Sequence, residues 1–198
     1  MNHHRESRDR LNGEDVARLI RRVAAGDERS WARLVDEYNR LLWAVTRAHR
    51  LREPDAADVV QVTWLKLLEH VDDLHDPGRA GAWLATTARR ECLRALRRGA
   101  TESLLGDALP ETSSSEEPPG KELFLAERDE ALWRAFNRLR PRDQALLRLL
   151  MAEPAPGYSE IAAALDMPIG SIGPTRARAL ERLRAQLERD ETLILLAA

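Results

Sequence analysis

The residues of this chain best suited to a chemical task are arginines in two clusters. Between positions 79 and 98 stand Arg79, Arg89, Arg90, Arg94, Arg97 and Arg98 against Glu91 alone, a local charge of +5. Arg176 to Arg189 holds five basic residues against two acidic ones, a local charge of +3. Guanidinium groups at helical spacing bind phosphate oxygens, and such contacts position a protein on nucleic acid without choosing a base sequence. Between the two clusters, Thr101 to Glu122 carries six acidic residues against Lys121, a local charge of −5. The formal net charge of −2 hides this alternation, so local charge is the better guide to partners.

Residue types that do covalent chemistry are not arranged for it. There is no glycine-rich phosphate loop, no G-x-S-x-G and no H-E-x-x-H. His3, His4, His49, His70 and His75 do not fall at metal-ligand spacing, and the single Cys92 can form neither an internal disulfide nor a thiolate zinc site. Cys92 reads as a small buried residue. Asp72, Asp73 and Asp76 read as a solvated loop. The expectation is a protein that is not an enzyme, with no cofactor and no metal. No apolar run approaches the roughly 20 residues of a membrane-spanning helix. MNHHRESRDR has no apolar stretch behind its charges, so it does not read as a secretory signal. A cytoplasmic protein is expected.

The elements that position the arginines are helical. Leu, Ala, Arg and Glu dominate the 198 residues, and all are good helix formers. A helix begins near Glu14–Asp15, and a second follows Gly26–Asp27. In the second, Trp31, Leu34, Val35, Tyr38, Leu41, Leu42 and Val45 lay one apolar stripe along several turns. Pro54–Asp55 opens a third, with Val59, Val60, Val62, Trp64, Leu65, Leu67, Leu68 and Val71 as its core face. A break from His70 to Gly78 leads to the basic helix, about 79–98, with Trp83, Leu84, Ala88, Leu93 and Leu96 as apolar residues and Gly99 as C-cap. Residues 99–121 read as a flexible acidic linker, because PETSSSEEPPGKE has no apolar residue. A second unit follows, with Leu123, Phe124, Leu132, Trp133, Phe136 and Leu139 as its stripe, a helix from Pro141 to about Met151, another over Tyr158–Leu165, and a last one ending near Arg189. The fold class is all-α: two small helical domains, 14–98 and 122–190, joined by the linker.

YSEIAAALDMPIGSIGPTRARALERLR has the form of a helix-turn-helix, whose second helix enters the major groove with its N-terminal residues at base edges. Pro174 lacks an N–H, so the second helix starts no earlier than about Ser171, a good capping residue. Gly173 leaves the first turn open to phosphate. Ile172, Leu180 and Leu183 would face inward. Arg176 and Arg178 would face DNA, with Arg182 and Arg184 on its backbone.

The order of motifs resembles bacterial RNA polymerase sigma factors of the extracytoplasmic-function group, over about residues 14–190. Asp55-Ala56-Ala57-Asp58-Val59-Val60-Gln61-Val62-Thr63-Trp64-Leu65 is similar to the family's D-x-x-D-V-V-Q-x-x-F-L stretch. Ala82-Trp83-Leu84 through Ala88-Arg89, then Arg97-Arg98, is similar to its W-L-x-x-I-A-R-N…D-x-x-R-R helix. Leu139-Arg140-Pro141-Arg142-Asp143, Tyr158-Ser159-Glu160-Ile161-Ala162 and Pro168-Ile169-Gly170-Ser171-Ile172 are similar to its sigma-4 pattern.

The resemblance implies a sigma-2 and a sigma-4 domain and a role as promoter-specificity subunit. It directs core RNA polymerase to promoters and helps open the DNA. It implies core-polymerase binding, to the β′ clamp helices, through Asp55, Asp58 and Gln61. It implies minus-ten contacts from His75, Arg79, Arg89, Arg90, Arg94, Arg97 and Arg98, with the loop from His70 to Arg79 capturing a flipped base. Minus-thirty-five contacts fall to Ser171, Gly173, Thr175, Arg176, Arg178 and Arg182. The implied partners are core polymerase (β′ clamp helices and β flap) and promoter DNA, with an anti-sigma factor as a candidate. The acidic linker would thread toward the RNA exit path, with Glu111, Glu116 and Glu117 mimicking RNA. The apolar tail Thr192–Ala198 suits packing or docking.

The chain departs from the family at Arg90, where Asn is usual, at Arg94, often Asp, and at Gly173-Pro174-Thr175, commonly Lys-Ser-Arg. Promoter sequence therefore does not carry over. Two other readings of the residues stay open: a stand-alone helix-turn-helix repressor, which would bind DNA tightly without polymerase, and a helical adaptor that binds no DNA.

Overall fold

The computed structural model describes residues 11–105 and 123–189. Eight α-helices and two short 3-10 turns make up its regular structure, with no strand among the described residues. The helices are α1 (Gly13–Ala24), α2 (Glu28–Ala48), α3 (Glu53–Glu69), α4 (Ala80–Leu105), α5 (Leu123–Asn137), α6 (Pro141–Leu150), α7 (Tyr158–Leu165) and α8 (Ile172–Glu188). The linker acids Glu111, Glu116 and Glu117, the tail Thr192–Ala198, and His3 and His4 lie outside the described residues.

Local chemistry accounts for the helix ends. Asn12 caps α1 by accepting the Asp15 N–H at 2.9 Å. Pro54 and Pro141 sit in the first turns of α3 and α6, where a missing N–H costs nothing. The α2 helix closes with Arg50 at φ 60°, where glycine is usual, and the Leu51 N–H returns to the Thr46 carbonyl. Arg50 has a compensating contact, donating to Asn137 Oδ1 at 3.0 Å.

Burial follows the expected stripe on α2. Leu34, Tyr38, Leu41, Leu42 and Val45 are buried, and Trp31 packs edge-on against Trp64 of α3 at 5.3 Å. Fully burying each such side chain contributes roughly 1.5–3 kcal/mol. The apolar core is shared: Ala145, Leu146, Leu149, Ile161, Ala162, Ala164, Met167 and Ile172 join the cluster built on α1–α4. A smaller cluster holds α5, α6 and α8 together through Phe136, Leu139, Leu147 and Ala179. Cys92 is fully buried, and burial pushes its thiol up to about 12.

Four expectations are corrected. Gly99 does not cap the basic helix; α4 runs through it to Leu105, because its backbone is not left-handed and nothing blocks the next turn. Leu65 and Leu68 of α3, and Leu96 of α4, are exposed rather than core, since Val59, Val60, Thr63 and Leu67 fill the inward face of α3. On α5, Leu132 and Trp133 are exposed, and the buried face is Ala131, Ala135 and Phe136. On α8, Leu180 is exposed and the inward position is Ala179, which packs with Phe136, Leu139 and Leu147 of the smaller cluster. The side chains of Leu123 and Phe124 are not described.

The most extensive helix packing is α7 along α4. It depends on Gly81. A Cβ there would lie 2.5 Å from Glu160 Oε1 and 2.7 Å from Tyr38 Cε1. Neither atom is free to move: Tyr38 is buried, and Glu160 accepts the Gly157 N–H at 2.6 Å. Alanine favours a helix over glycine by about 1 kcal/mol, but overpacking costs about 1–3 kcal/mol. Gly81→Ala is therefore expected to lower the chemical unfolding midpoint, whereas Gly99→Ala, with open space around its Cβ, should raise it. Both are read in one denaturant titration.

Candidate nucleic-acid interface

The arginines of α4 divide into two groups. Arg90, Arg94, Arg97 and Arg98 recur at i, i+4, i+7 and i+8, and all four are exposed. Glu91 anchors this face from beneath. Its carboxylate is nearly buried and accepts from Arg94 Nη1 and from Lys66 Nζ of α3, each at 2.5 Å. A buried charge needs such partners, and here they also fix the α3–α4 register. Arg89 lies off this face. Its side chain is 20% exposed, its Nε has no hydrogen-bond partner, and its Nη2 lies 3.2 Å from Asp166 Oδ2 of the helix-turn-helix.

His75 and Arg79 are exposed on the segment before α4. Gly78 meets the start of α1 there: a Cβ on it would lie 2.8 Å from the Gly13 carbonyl oxygen. A groove beside it is lined by Asn12, Glu14, Asp76 and Arg79. This contact places the loop at the start of α4.

On α3, Asp58 and Gln61 are exposed, and Leu65 and Leu68 extend the same stripe at i+7 and i+10. A face with a charge at one end and leucines at the other suits a partner helix. Asp55 is only part of that face, because Arg52 Nε holds its carboxylate at 3.2 Å.

The helix-turn-helix is built as its spacing implies. Gly157 donates to Glu160 at the start of α7, Asp166 takes the left-handed conformation at its end, and the Met167 N–H returns to the Ala162 carbonyl. A 3-10 turn over Ile169–Ser171 leads into α8. Ser171 stands at the N-cap, but its hydroxyl donates to the Pro168 carbonyl at 2.6 Å and caps no α8 N–H. The turn thus tightens instead: the Ile172 N–H at the start of α8 returns to the Ile169 carbonyl, and Pro174 has no N–H. Gly173 and Pro174 are exposed, with open space around Gly173. Arg176 and Arg178 project from the next turn, both exposed, and Arg178 Nη2 donates to Thr175 Oγ1 at 3.5 Å.

Arg182 is not free for a phosphate in this state. Its Nη1 lies 2.8 Å from Asp143 Oδ2, a buried carboxylate on α6. Arg184 pairs with Glu188 one turn on. Sequence reasoning did not single out Arg140 and Arg142, which share a groove with Ser171, Thr175, Arg178 and Arg182. The available signal was the R-P-R run at the start of α6. Gln144 supports this corner, donating to the Asn137 and Leu139 carbonyls where α5 ends. Among the described residues, no group of three or more His, Cys, Asp or Glu is placed to hold a metal ion.

Residues 34–102 match the sigma-70 region 2 family. No curated protein matches the chain. Several solved structures share its fold, two of which follow. One is CnrH in complex with the cytosolic domain of CnrY, 24% identical, covering 88% of this chain and 98% of that one at a TM-score of 0.58. The other is the sigma factor RpoE in complex with the anti-sigma factor NepR from Bartonella quintana, 23% identical, covering 81% and 98% at the same TM-score. The region 2 match spans most of α2, all of α3 and most of α4, which hold the Asp58 stripe and the exposed arginine face.

The Asp143–Arg182 pair positions α8 against α6. Removing the buried partner leaves the guanidinium half-exposed and able to rehydrate, so the cost sits at the lower end for such pairs. Asp143→Ala is expected to destabilise the chain by about 1–3 kcal/mol, measured by equilibrium unfolding.

Proposed function

We propose that this chain is a sigma factor of the extracytoplasmic-function type. It is a dissociable subunit, not itself an enzyme, that binds core RNA polymerase, directs it to promoters and helps open the DNA. The observation that carries the reading is the sigma-70 region 2 match over residues 34–102, on the helices that carry the basic face of α4. The helix-turn-helix of α7 and α8 supports the second half of the role. On this reading the units are a region 2 domain over 14–98 and a region 4 domain over 122–190, joined by 99–121.

In this role Asp58, Gln61 and Asp55 offer polar and charged contacts to the clamp of the polymerase, with Leu65 and Leu68 adding apolar area. Arg90, Arg94, Arg97 and Arg98 supply phosphate contacts at the minus-ten element, with His75 and Arg79 at the adjacent loop. Arg89 joins them only when its pair with Asp166 is released. Gly173, Thr175, Arg176 and Arg178 meet the minus-thirty-five duplex, Ser171 sets the turn, and Arg182 orients α8. Two linked modules of modest affinity gain through effective concentration, so neither must bind tightly alone. The structural neighbour RpoE was solved with an anti-sigma factor. That supports an inhibitor protein as a further partner here.

The test is size-exclusion chromatography of the full chain with bacterial core RNA polymerase. The wild type should co-elute, and an Asp55→Arg/Asp58→Arg variant should not. Tight binding to duplex DNA with no co-elution would instead favour the repressor. In a promoter-binding assay with the holoenzyme, Arg176→Ala and Arg178→Ala should each weaken binding by on the order of tenfold, for contacts of about 1–3 kcal/mol.

A further inference from the structure

The two helical units are fastened at one corner by consecutive residues at the end of α2. His49 caps that helix, and its ring Nε2 lies 3.3 Å from the Ala164 carbonyl oxygen near the end of α7. A carbonyl can only accept, so Nε2 carries the hydrogen, and a neutral ring satisfies the contact. Arg50 follows, donating to Asn137 of α5. Across the corner, Arg89 of α4 reaches Asp166, which ends α7. Beside these polar contacts the interface is built of small and apolar residues, Ala85 and Ala88 of α4 and Ile161, Ala162 and Ala164 of α7, with the Glu160 carboxylate buried against Gly81.

This corner tolerates a neutral imidazole and opposes a charged one. Burial is the main cause holding the His49 ring below its ordinary value of 6.5, and the Arg89 guanidinium adds to it, while the Ala164 carbonyl acts in the opposite direction. Arg89 is the charged group acting on the ring from α4, and no carboxylate acts on it. From α7 come the Ala164 carbonyl and Asp166, the latter paired with Arg89. On α6, Arg148 lies over the Phe136 ring at 4.9 Å and is pushed down, first by burial and then by Arg50. Arg50 and Arg47 are the cations beside His49 on its own helix. Among these cations, Arg89 is the one that acts on the ring.

We propose that the His49 contact is an acid-sensitive latch, which holds the helix-turn-helix unit closed against α4 and releases it when the ring takes up a proton. The direction follows from proton counting. A detached unit exposes the ring, which then titrates near 6.5, whereas the docked ring titrates lower. Above 6.5 both forms are neutral and closure is at full strength. As pH falls below 6.5 the open form binds the proton first, and the closed-to-open ratio drops by up to about tenfold per pH unit until the depressed value is reached. On the sigma-factor reading, opening also hands Arg89 from Asp166 to a phosphate. The latch itself does not rest on that reading.

Small-angle scattering of the full chain, without DNA or polymerase, tests it at about pH 8 and about pH 5.5. The wild type should expand at the lower pH. His49→Gln keeps a donor for the Ala164 carbonyl but cannot charge, and it should keep one radius of gyration at both. Asp166→Arg sets a second guanidinium against Arg89 and should be expanded at both. A second measurement does not depend on His49→Gln folding: the ring, followed by NMR titration, should titrate closer to 6.5 in Asp166→Arg than in the wild type. A wild type that does not expand, a His49→Gln variant that expands as the wild type does, or an unchanged ring titration in Asp166→Arg would each overturn the latch.

Discussion

The fold turns on how closely α7 can lie against α4. Gly81 admits it at one end, where Glu160 and Tyr38 occupy the space a Cβ would need, and the Arg89–Asp166 pair closes the other. Eight residues of α4 separate these points, roughly 12 Å of helix, and their partners Glu160 and Asp166 stand at the start and just past the end of α7. The two helices therefore run side by side in the same sense, with Ala85 and Ala88 of α4 between the anchors. Such packing is short-range and unforgiving: alanines make dense contact only when backbones approach, so loss of the approach forfeits the whole row. This is why two helical units with a long acidic segment between them in sequence share one apolar core.

That shared core decides which arginines are available. The exposed group on α4 owes its arrangement to Glu91, which pulls Lys66 and Arg94 together beneath it. Arg89, one residue before Arg90 but about 100° around the helix, falls instead on the side that faces α7. A single basic helix thus presents one face to solvent and commits one guanidinium to an internal contact. The α8 helix repeats the division, with Arg176 and Arg178 outward and Arg182 drawn back to the buried Asp143.

Helix positions were legible in the sequence where short-range chemistry sets them. Pro54, Pro141 and the turn at Asp166 act within a residue or two, and the stripe on α2 is wide enough to show its buried side. Legibility failed where partner geometry decides. Leu132, Leu180 and Leu96 look like core residues by type, yet the inward positions beside them fall to Ala131 and Ala135, to Ala179 and to Cys92, because the partner helices meet those faces. Gly99 resembles a stop, but a glycine ends a helix only when its backbone turns left-handed. The candidate site was readable as charge, since arginines at helical spacing announce themselves. Which of them reach solvent was not, because Asp166 lies 77 residues from Arg89 and Asp143 lies 39 from Arg182, and no local pattern joins such pairs.

The same reasoning explains why a histidine at residue 49 matters more than its surroundings in sequence suggest. A helix C-terminus ordinarily favours a positive charge, and His49 sits at the end of one helix and against the end of another. Both dipoles invite a proton, yet burial and the neighbouring guanidinium outweigh them. The ring is therefore held in its neutral form by the closure of the two units rather than by its own helix. A group whose protonation state depends on an interface must, by linkage, act back on that interface with the same free energy.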